Sequence, residues 1–173
     1  MAYEYRSSIG QDSHRFVDRL NRPATADEQV RPLMLGGVAI SGAVGLSGNS
    51  DADVVLHALI NAVSGLTAVN ILGAVSDKLC LEQGITDSRA YLEKALEYLG
   101  EWQLCHLSFT YEGKRPHLAN WIEPIRSRIA ELTGLLPEQV ALTATTGEGL
   151  TDFGRGEGAQ VFCILTARRP EAD

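Results

Sequence analysis

Hydrophobic residues recur at helical spacing in three segments of the chain. The first is SDADVVLHALINAVSG, residues 50–65, whose apolar positions cover much of a helix circumference and predict a deeply packed helix. These positions are Val54, Leu56, Leu59, Ile60 and Val63. Ser50 is the expected N-cap, and Asp53, three residues later, fits a capping box with aspartate in the place of glutamate.

Two more segments predict amphipathic helices. SRAYLEKALEYLG, residues 88–100, carries leucine and alanine on one face, and Gly100 is its expected stop. LANWIEPIRSRIAELTG, residues 118–134, has isoleucine and leucine at helical spacing, with Pro124 near the first turn, where the missing N–H matters least. The polar stretch 17–30, by contrast, has several charges and predicts a surface loop or insert.

The remaining apolar runs predict β-structure. RPLMLGGVAISG, residues 31–42, indicates a bent strand or a hairpin. Strands are predicted at 3–10, 104–113, 139–146 and 158–167, and the last is apolar on both faces, as a strand inside a sheet would be. We therefore expect one domain, 1–173, with an α+β fold: an α/β sandwich built on a mainly four-stranded sheet with helices packed on one face.

Composition and charge narrow the classes of partner. The formal net charge of −7 over 173 residues argues against nucleic acid as the main partner, although a local cluster of donors could still bind a phosphorylated small molecule. No apolar run approaches the roughly 20 residues that cross a bilayer, and no signal-peptide pattern is present. The lack of a long apolar run leads us to expect no membrane partner. The three cysteines lack CxxC spacing, so we expect reduced thiols in a cytoplasmic protein.

A candidate metal site is visible in GQDSHRF, residues 10–16. Asp12 and His14 lie two residues apart, so in a strand their side chains point to the same face. With His57 from the predicted helix they would make three ligands and leave a fourth position open, as in catalytic zinc sites. Polar residues with unrelated roles remain the alternative, and Asp53 could either contact His57 or simply cap the helix.

Two loops could bind phosphate. ATTGEGLTDFGRGEG, residues 144–158, combines glycines with hydroxyl, carboxylate and guanidinium groups, a composition that suits phosphate and cation binding but is also common in ordinary loops. KRPH, residues 114–117, follows a predicted strand and precedes a helix. Spacing alone favours a proline-shaped turn with solvated bases there over a binding loop.

The order of these segments is specific. The motifs D-x-H-R-F, L-x-L-G-G-V, G-L-x-x-x-S-D-x-D-V-x-x-H-A, D-S-R, R-P, A-T-T-x-E-x-L and G-R-G-E-G follow one another from about residue 9 to 167. In this order they closely resemble the 2-C-methyl-D-erythritol 2,4-cyclodiphosphate synthase family. The resemblance implies a homotrimer of α/β subunits with active sites between neighbouring subunits. It also implies conversion of a cytidine diphosphate-linked methylerythritol 2-phosphate into a cyclic diphosphate and CMP, in non-mevalonate isoprenoid synthesis.

The resemblance assigns roles by position. Zn²⁺ would be bound by Asp12, His14 and His57, and a second divalent cation, Mg²⁺ or Mn²⁺, by Glu148. The catalytic set would be Thr146, Glu148 and Asp53. The expected substrate-binding residues are Asn49, Ser50, Gly73, His117, Ala144, Thr145 and Arg155. Arg155 would face the threefold axis, where family members receive an isoprenoid diphosphate, unless it pairs only with Glu157.

Departures from the family pattern fall at positions that the resemblance marks as functional. An imidazole of the family is replaced by Asn49, and an aspartate that holds polyol hydroxyls aligns with Ile71. A lysine of the cytidine-side loop aligns with His117, a phenylalanine before the first zinc ligand aligns with Gln11, and the flexible loop at 76–80 has lost its motif. These changes leave open a paralogue acting on another CDP-linked or diphosphate substrate, or a non-catalytic trimer that binds a nucleotide or isoprenoid diphosphate.

Overall fold

The computed structural model describes residues 2–73 and 84–171. The strands are β1 (Tyr3–Arg15), β2 (Leu33–Leu35), β3 (Val38–Ile40), β4 (Gln103–Glu112), β5 (Val140–Thr145) and β6 (Gly158–Pro170). The helices are α1 (Ala26–Val30), α2 (Val54–Thr67), α3 (Ser88–Leu96), α4 (Ile122–Thr133) and α5 (Asp152–Arg155). Single 3₁₀ turns lie at Val17–Arg19, Glu97–Leu99, Pro137–Gln139 and Gly147–Gly149.

Four strands form one mixed sheet in the order β1-β6-β4-β5. Strand β6 lies antiparallel to both β1 and β4, whereas β4 and β5 are parallel and are joined through α4. The short strands β2 and β3 pair separately as a hairpin. The expected α/β sandwich with a four-stranded sheet is confirmed, and so is the hairpin reading of residues 31–42.

Helix α2 packs directly on the sheet because a glycine allows close approach. Gly10 of β1 lies so near the helix that a Cβ built there would be 2.1 Å from the Ala58 carbonyl oxygen and 2.2 Å from the Ala62 nitrogen. The helix is buried on almost every side, as its apolar positions predict. This contact fixes the distance between the residues that follow Gly10 on β1 and those on α2.

Local structure departs from the sequence prediction in three places. The first strand continues to Arg15 rather than ending at residue 10, since it pairs with β6 along its whole length. The polar stretch 17–30 contains helix α1, whose N-cap Thr25 forms a capping box with Glu28. The predicted N-cap Ser50 is wrong: Ala52 has a φ of 55°, which interrupts the helical backbone, and Asp53 is the N-cap of α2.

The outer face of the sheet carries exposed apolar side chains. Ile9 and Ile164 are register partners on β1 and β6, and they are 62% and 49% exposed. Tyr5 and Phe162 lie on the same face of these strands and are also exposed. Strand β6 is therefore apolar on both faces as predicted, but within a single chain only one face is covered. None of the described helices is long and apolar enough to cross a membrane.

Candidate metal centre and phosphate-binding loops

Asp12, His14 and His57 converge at the contact between β1 and α2. Asp12 and His14 share the β1 face that packs on the helix, and His57 lies one turn into α2. The Asp12 Oδ2 atom is 3.0 Å from His14 Nε2 and 3.1 Å from His57 Nδ1. Potential ligand atoms of all three side chains lie within 4.8 Å of one another. The predicted triad is thus assembled in the structure.

The tautomer of His14 follows from its other neighbour. Its Nδ1 lies 2.7 Å from the Ser47 carbonyl oxygen, which can only accept a hydrogen bond, so Nδ1 carries the hydrogen. The Nε2 atom of the neutral ring then holds a lone pair. This buried Nε2 has no hydrogen-bond partner among the described residues, although it faces Asp12 at 3.0 Å. Two acceptors at that distance require a proton or a metal ion between them.

The tautomer of His57 is set by a serine that the sequence analysis did not single out. The Ser88 hydroxyl donates to a carboxylate oxygen of Asp51, so its oxygen accepts from His57 Nε2–H at 2.8 Å. This leaves the lone pair of His57 on Nδ1, which faces Asp12. Both Ser88 and Asp51 occur in motifs of the family resemblance, but no spacing rule connects either of them to His57.

The electrostatics of the triad suit a divalent cation. Burial raises the pKa of Asp12, but the two adjacent imidazoles of His14 and His57, which can carry positive charge when protonated, outweigh burial and bring the pKa to about 2. Burial lowers the pKa of His14, and the nearby Asp12 carboxylate more than offsets that effect and raises it. One carboxylate and two imidazole nitrogens directed at a common point are a donor set that binds Zn²⁺ and other divalent metals. The residues therefore fit a metal ion.

Asp53 serves as a structural cap in this geometry. Its side chain is fully buried and accepts hydrogen bonds from the backbone N–H groups of Val55 and Leu56 at the start of α2. It also accepts from Gly36 N at 2.8 Å and Gly37 N at 2.7 Å in the β2–β3 turn. With four amide donors on one carboxylate, Asp53 caps α2 and ties the hairpin to it, which is the capping alternative stated above, and its catalytic role stays a prediction.

The loops at 113–119 and 144–148 border adjoining cavities. One cavity of about 240 Å³ is lined by residues that include Tyr111, His117, Ala144 and Thr145. A second, of about 460 Å³, is lined by Lys114, His117, Thr146, Glu148, Gly149 and Gly154. The cavities share Lys114, His117 and Thr146. The structure therefore unites these predicted site residues, and it adds Lys114 as a cation beside them.

Glu148 is held in an unusual backbone conformation at the rim of this region. Its φ of 50° lies in the left-handed region, which non-glycine residues rarely adopt. The Thr146 hydroxyl lies 3.4 Å from its carboxylate, and both side chains are exposed. The two cavities are not lined by Asp12, His14 or His57. Among the described residues, the candidate metal triad and these two cavities share no lining residue, and we call them the two candidate half-sites.

The remaining predicted substrate contacts are divided between surface and core. Asn49 is exposed, whereas Ser50 is buried and its hydroxyl lies 3.4 Å from His57 Nε2. Gly73 is half-buried, with a φ of 124°. Ile71 is 1% exposed and belongs to the hydrophobic core, so it packs against other apolar side chains. The altered loop at 76–80 lies outside the described residues.

Arg155 is an exposed cation at the end of α5. Its guanidinium contacts Asp152 Oδ1 at 2.6 Å and the carbonyl oxygens of Gly149 and Leu150. Glu157 instead pairs with Arg15 at 2.8 Å. The alternative that Arg155 pairs only with Glu157 is therefore wrong, because the αL turn at Gly156 carries Glu157 away from Arg155 toward β1.

Fold and site together define a mixed α/β protein with a carboxylate–bis-imidazole cluster that could hold a metal ion. The model of the YgbB family matches residues 5–168, and the chain belongs to this family. It is 45% identical over 163 residues to the 2-C-methyl-D-erythritol 2,4-cyclodiphosphate synthase of Chlamydia trachomatis serovar L2b (strain UCH-1/proctitis), covering 94% of this chain and 87% of that protein. The Chlamydia felis (strain Fe/C-56) protein of the same name is 43% identical, with 94% and 88% covered.

Solved structures show the same fold. The bifunctional IspDF from Campylobacter jejuni matches 98% of this chain with a TM-score of 0.84 and 25% identity, and this chain spans 44% of its length. A 2C-methyl-D-erythritol-2,4-cyclodiphosphate synthase determined with CDP bound matches with a TM-score of 0.79 and 24% identity, covering 94% of this chain and 99% of that one. The second likeness supports the fold alone.

Proposed function

We propose that this chain is a 2-C-methyl-D-erythritol 2,4-cyclodiphosphate synthase. In this reaction the 2-phosphate of 4-diphosphocytidyl-2-C-methyl-D-erythritol 2-phosphate attacks the β-phosphorus of the diphosphate. One P–O bond forms as the bond to CMP breaks, so the product is the cyclic diphosphate and no protein nucleophile is required. The enzyme is then a phosphorus–oxygen lyase of non-mevalonate isoprenoid synthesis. Whole-chain identity of 45% to proteins of that name supports this proposal.

The single observation that carries the proposal is the orientation of the two imidazoles. Ser47 and Ser88 leave the lone pairs of His14 Nε2 and His57 Nδ1 directed toward Asp12. These three side chains would hold Zn²⁺, which as a Lewis acid neutralises charge on phosphoryl oxygens. A polar site with pre-set ligand orientation loses little free energy to reorganisation when the metal and the diphosphate bind.

The second half-site would bind the nucleotide end. The cavity beside Ala144 and Thr145 would receive cytosine through backbone groups, and Thr146 and Lys114, which line both adjoining cavities, would contact the diphosphate. Glu148 would hold a second divalent cation, Mg²⁺ or Mn²⁺, which would neutralise charge on the diphosphate. In this arrangement the protein contributes in-line positioning of the attacking and leaving groups, together with charge neutralisation.

A homotrimer would join the two half-sites. In the part of the chain that the structure describes, none of the three candidate metal ligands lines either of these cavities, which supports a site completed by a neighbouring subunit. The exposed apolar outer face of β1 and β6 supplies a surface that a symmetric assembly would bury. Arg155 is unburied in the single chain and remains available to an isoprenoid diphosphate or to symmetry-related subunits.

The proposal is tested by following CMP release from the cytidine diphosphate-linked substrate, with ³¹P NMR identifying the second product. We expect CMP and cyclic diphosphate in equal amounts, with loss of both in Asp12→Asn. The matched control is Glu131→Gln, which removes a carboxylate charge from a surface ion pair with Arg128 on α4 and should retain activity. A linear phosphate product, or no CMP from metal-loaded protein, would contradict the assignment.

A further inference from the structure

Residues 17–31, here called the brace, form a polar surface segment that is joined to two neighbouring loops by side-chain hydrogen bonds. At their centre is Glu28, which is only 5% exposed. Its carboxylate accepts two hydrogen bonds from Arg22, both at 2.8 Å, and one from Thr25 N at 2.9 Å. It also accepts one from the Ser47 hydroxyl. A buried carboxylate is costly unless its oxygens are satisfied, and here the donors come from both the brace and the loop at 47–50.

Ser47 connects Glu28 to the candidate metal ligand His14. The side chain of Ser47 binds Glu28, and the carbonyl of the same residue accepts the hydrogen bond from His14 Nδ1. Arg31, at the end of the brace, donates to the carbonyl oxygens of Gly48, at 2.7 Å, and Ser50. The brace thus contacts three residues, Ser47, Gly48 and Ser50, of the loop whose Ser47 carbonyl sets the tautomer of His14.

The opposite end of the brace contacts the nucleotide-side loop. Asp18 receives two hydrogen bonds from Arg115, at 3.0 and 2.6 Å, and the Arg115 guanidinium lies 4.3 Å above the ring of Phe16. The backbone carbonyl of Arg115 accepts a hydrogen bond from the Tyr111 hydroxyl at 2.7 Å. A bidentate guanidinium–carboxylate pair fixes orientation as well as distance.

We propose that the brace positions both halves of the substrate site, with Glu28 as the positioning residue for the metal side and Asp18 for the nucleotide side. This inference rests on the proposed function, since it names residues that act on the same site through other residues. Neither carboxylate touches the triad or the two cavities at the phosphate-binding loops. Each acts through one intermediate residue, Ser47 in the first case and Arg115 in the second.

Two binding measurements on the purified full chain test the Glu28 end and the Asp18 end of the brace independently. The Zn²⁺ affinity is measured by competition with a chromophoric chelator, and CMP binding by calorimetry. Glu28→Ala should weaken Zn²⁺ binding by about tenfold or more, in the range typical for groups that orient metal ligands. Glu28→Gln and Ser47→Ala should lose less, since the first keeps an acceptor for Ser47 and the second keeps the Ser47 carbonyl. CMP binding by these variants should change little.

Substitution at the Asp18 end should instead affect CMP binding and not Zn²⁺ binding. Asp18→Asn should weaken CMP binding by about two- to fivefold, the scale of an exposed ion pair, and leave Zn²⁺ affinity unchanged. The matched control is Glu131→Gln, which breaks an ion pair with Arg128 on the surface of α4 and should alter neither affinity. If Glu28→Ala does not fold, Glu28→Gln and Ser47→Ala provide the metal-side comparison.

Wild-type Zn²⁺ affinity in the metal-side variants, or equal losses in Glu131→Gln, would overturn the role of Glu28. Unchanged CMP binding in Asp18→Asn would overturn the role of Asp18. Failure of the wild-type chain to bind CMP would instead reject the proposed function together with the Asp18 half. The Zn²⁺ titrations do not depend on CMP or turnover, so they decide the Glu28 half in every case.

Discussion

His57 depends on a hydroxyl that holds its ring from the side opposite the metal position. Ser88 accepts from His57 Nε2 and donates to Asp51, while its own backbone N–H donates to the same carboxylate at 3.1 Å. Groups that fix the tautomer of a ligating imidazole affect metal affinity almost as strongly as ligands do. Ser88 should therefore affect metal affinity, although its own side chain is neutral and is not a candidate ligand.

We predict that Ser88→Ala lowers Zn²⁺ affinity about 10- to 100-fold while the fold is retained. The reason is that the alanine variant removes the 2.8 Å acceptor of His57 Nε2–H and leaves only the Ser50 hydroxyl, at 3.4 Å, so the orientation and tautomer of the ring are held less firmly. Chelator competition measures the effect, and Ser127→Ala, an exposed serine of α4, is the control. An affinity equal to that of the wild type would show that the packing around α2 alone orients His57.

At the scale of elements, the register of α2 on β1 is set by Gly10, since backbone atoms of α2 occupy the space where a side chain would lie. Gly10→Ala should therefore destabilise the protein by more than about 3 kcal/mol, because helix backbone cannot yield as a side chain can. It should also reduce zinc content by separating His57 from Asp12 and His14. Thermal unfolding and elemental analysis measure the two effects.

Gly65→Ala provides the matched control for that experiment. A Cβ at Gly65 would lie 3.3 Å from the Ser8 Cβ, on the same helix–strand contact but against a side-chain atom. Alanine also has a better helix propensity than glycine by about 1 kcal/mol, so this change should be nearly neutral. Equal losses in both variants would mean that the close approach at Gly10 is not what determines the site.

The elements themselves were largely predictable from sequence, because helices α2, α3 and α4 carry strong apolar periodicity and β4, β5 and β6 are β-rich. The start of α2 could not be predicted, since the positive φ of Ala52 depends on tertiary packing and alanine has no local preference for it. Helix α1 has five residues and little apolar character, so periodicity could not reveal it. Spacing makes Asp12, His14 and His57 candidates and the family resemblance assigns them as ligands, whereas Glu28 and Ser88 reach the site through contacts between distant segments.

For the whole molecule, the outer face of the sheet determines the expected assembly. Ile164 lies near the centre of the apolar face, opposite Ile9, and a lysine there would place a charge in the proposed subunit contact. We predict that light scattering gives a trimeric mass for the wild type and a lower mass for Ile164→Lys. The control Leu136→Lys alters an apolar residue that is 59% exposed at a different surface and should stay trimeric.

A wild-type monomer would contradict the proposed assembly and leave the two half-sites unconnected. Dissociation of both lysine variants alike would indicate a general effect of added charge. A monomer only in Ile164→Lys, with CMP release lost and Zn²⁺ affinity kept, would support a metal centre built within one chain and an active site completed by a neighbour.

Zinc reconstitution of metal-free protein tests the central claim most directly. Chelator-stripped protein, assayed with Mg²⁺ and the cytidine diphosphate-linked substrate, should release no CMP. Activity should rise in step with added Zn²⁺ and level off at about one zinc per chain, as for a three-ligand site with one open position. His57→Ala should neither retain zinc nor recover activity in the same titration. Undiminished CMP release from the stripped protein, or full recovery in His57→Ala, would contradict the account.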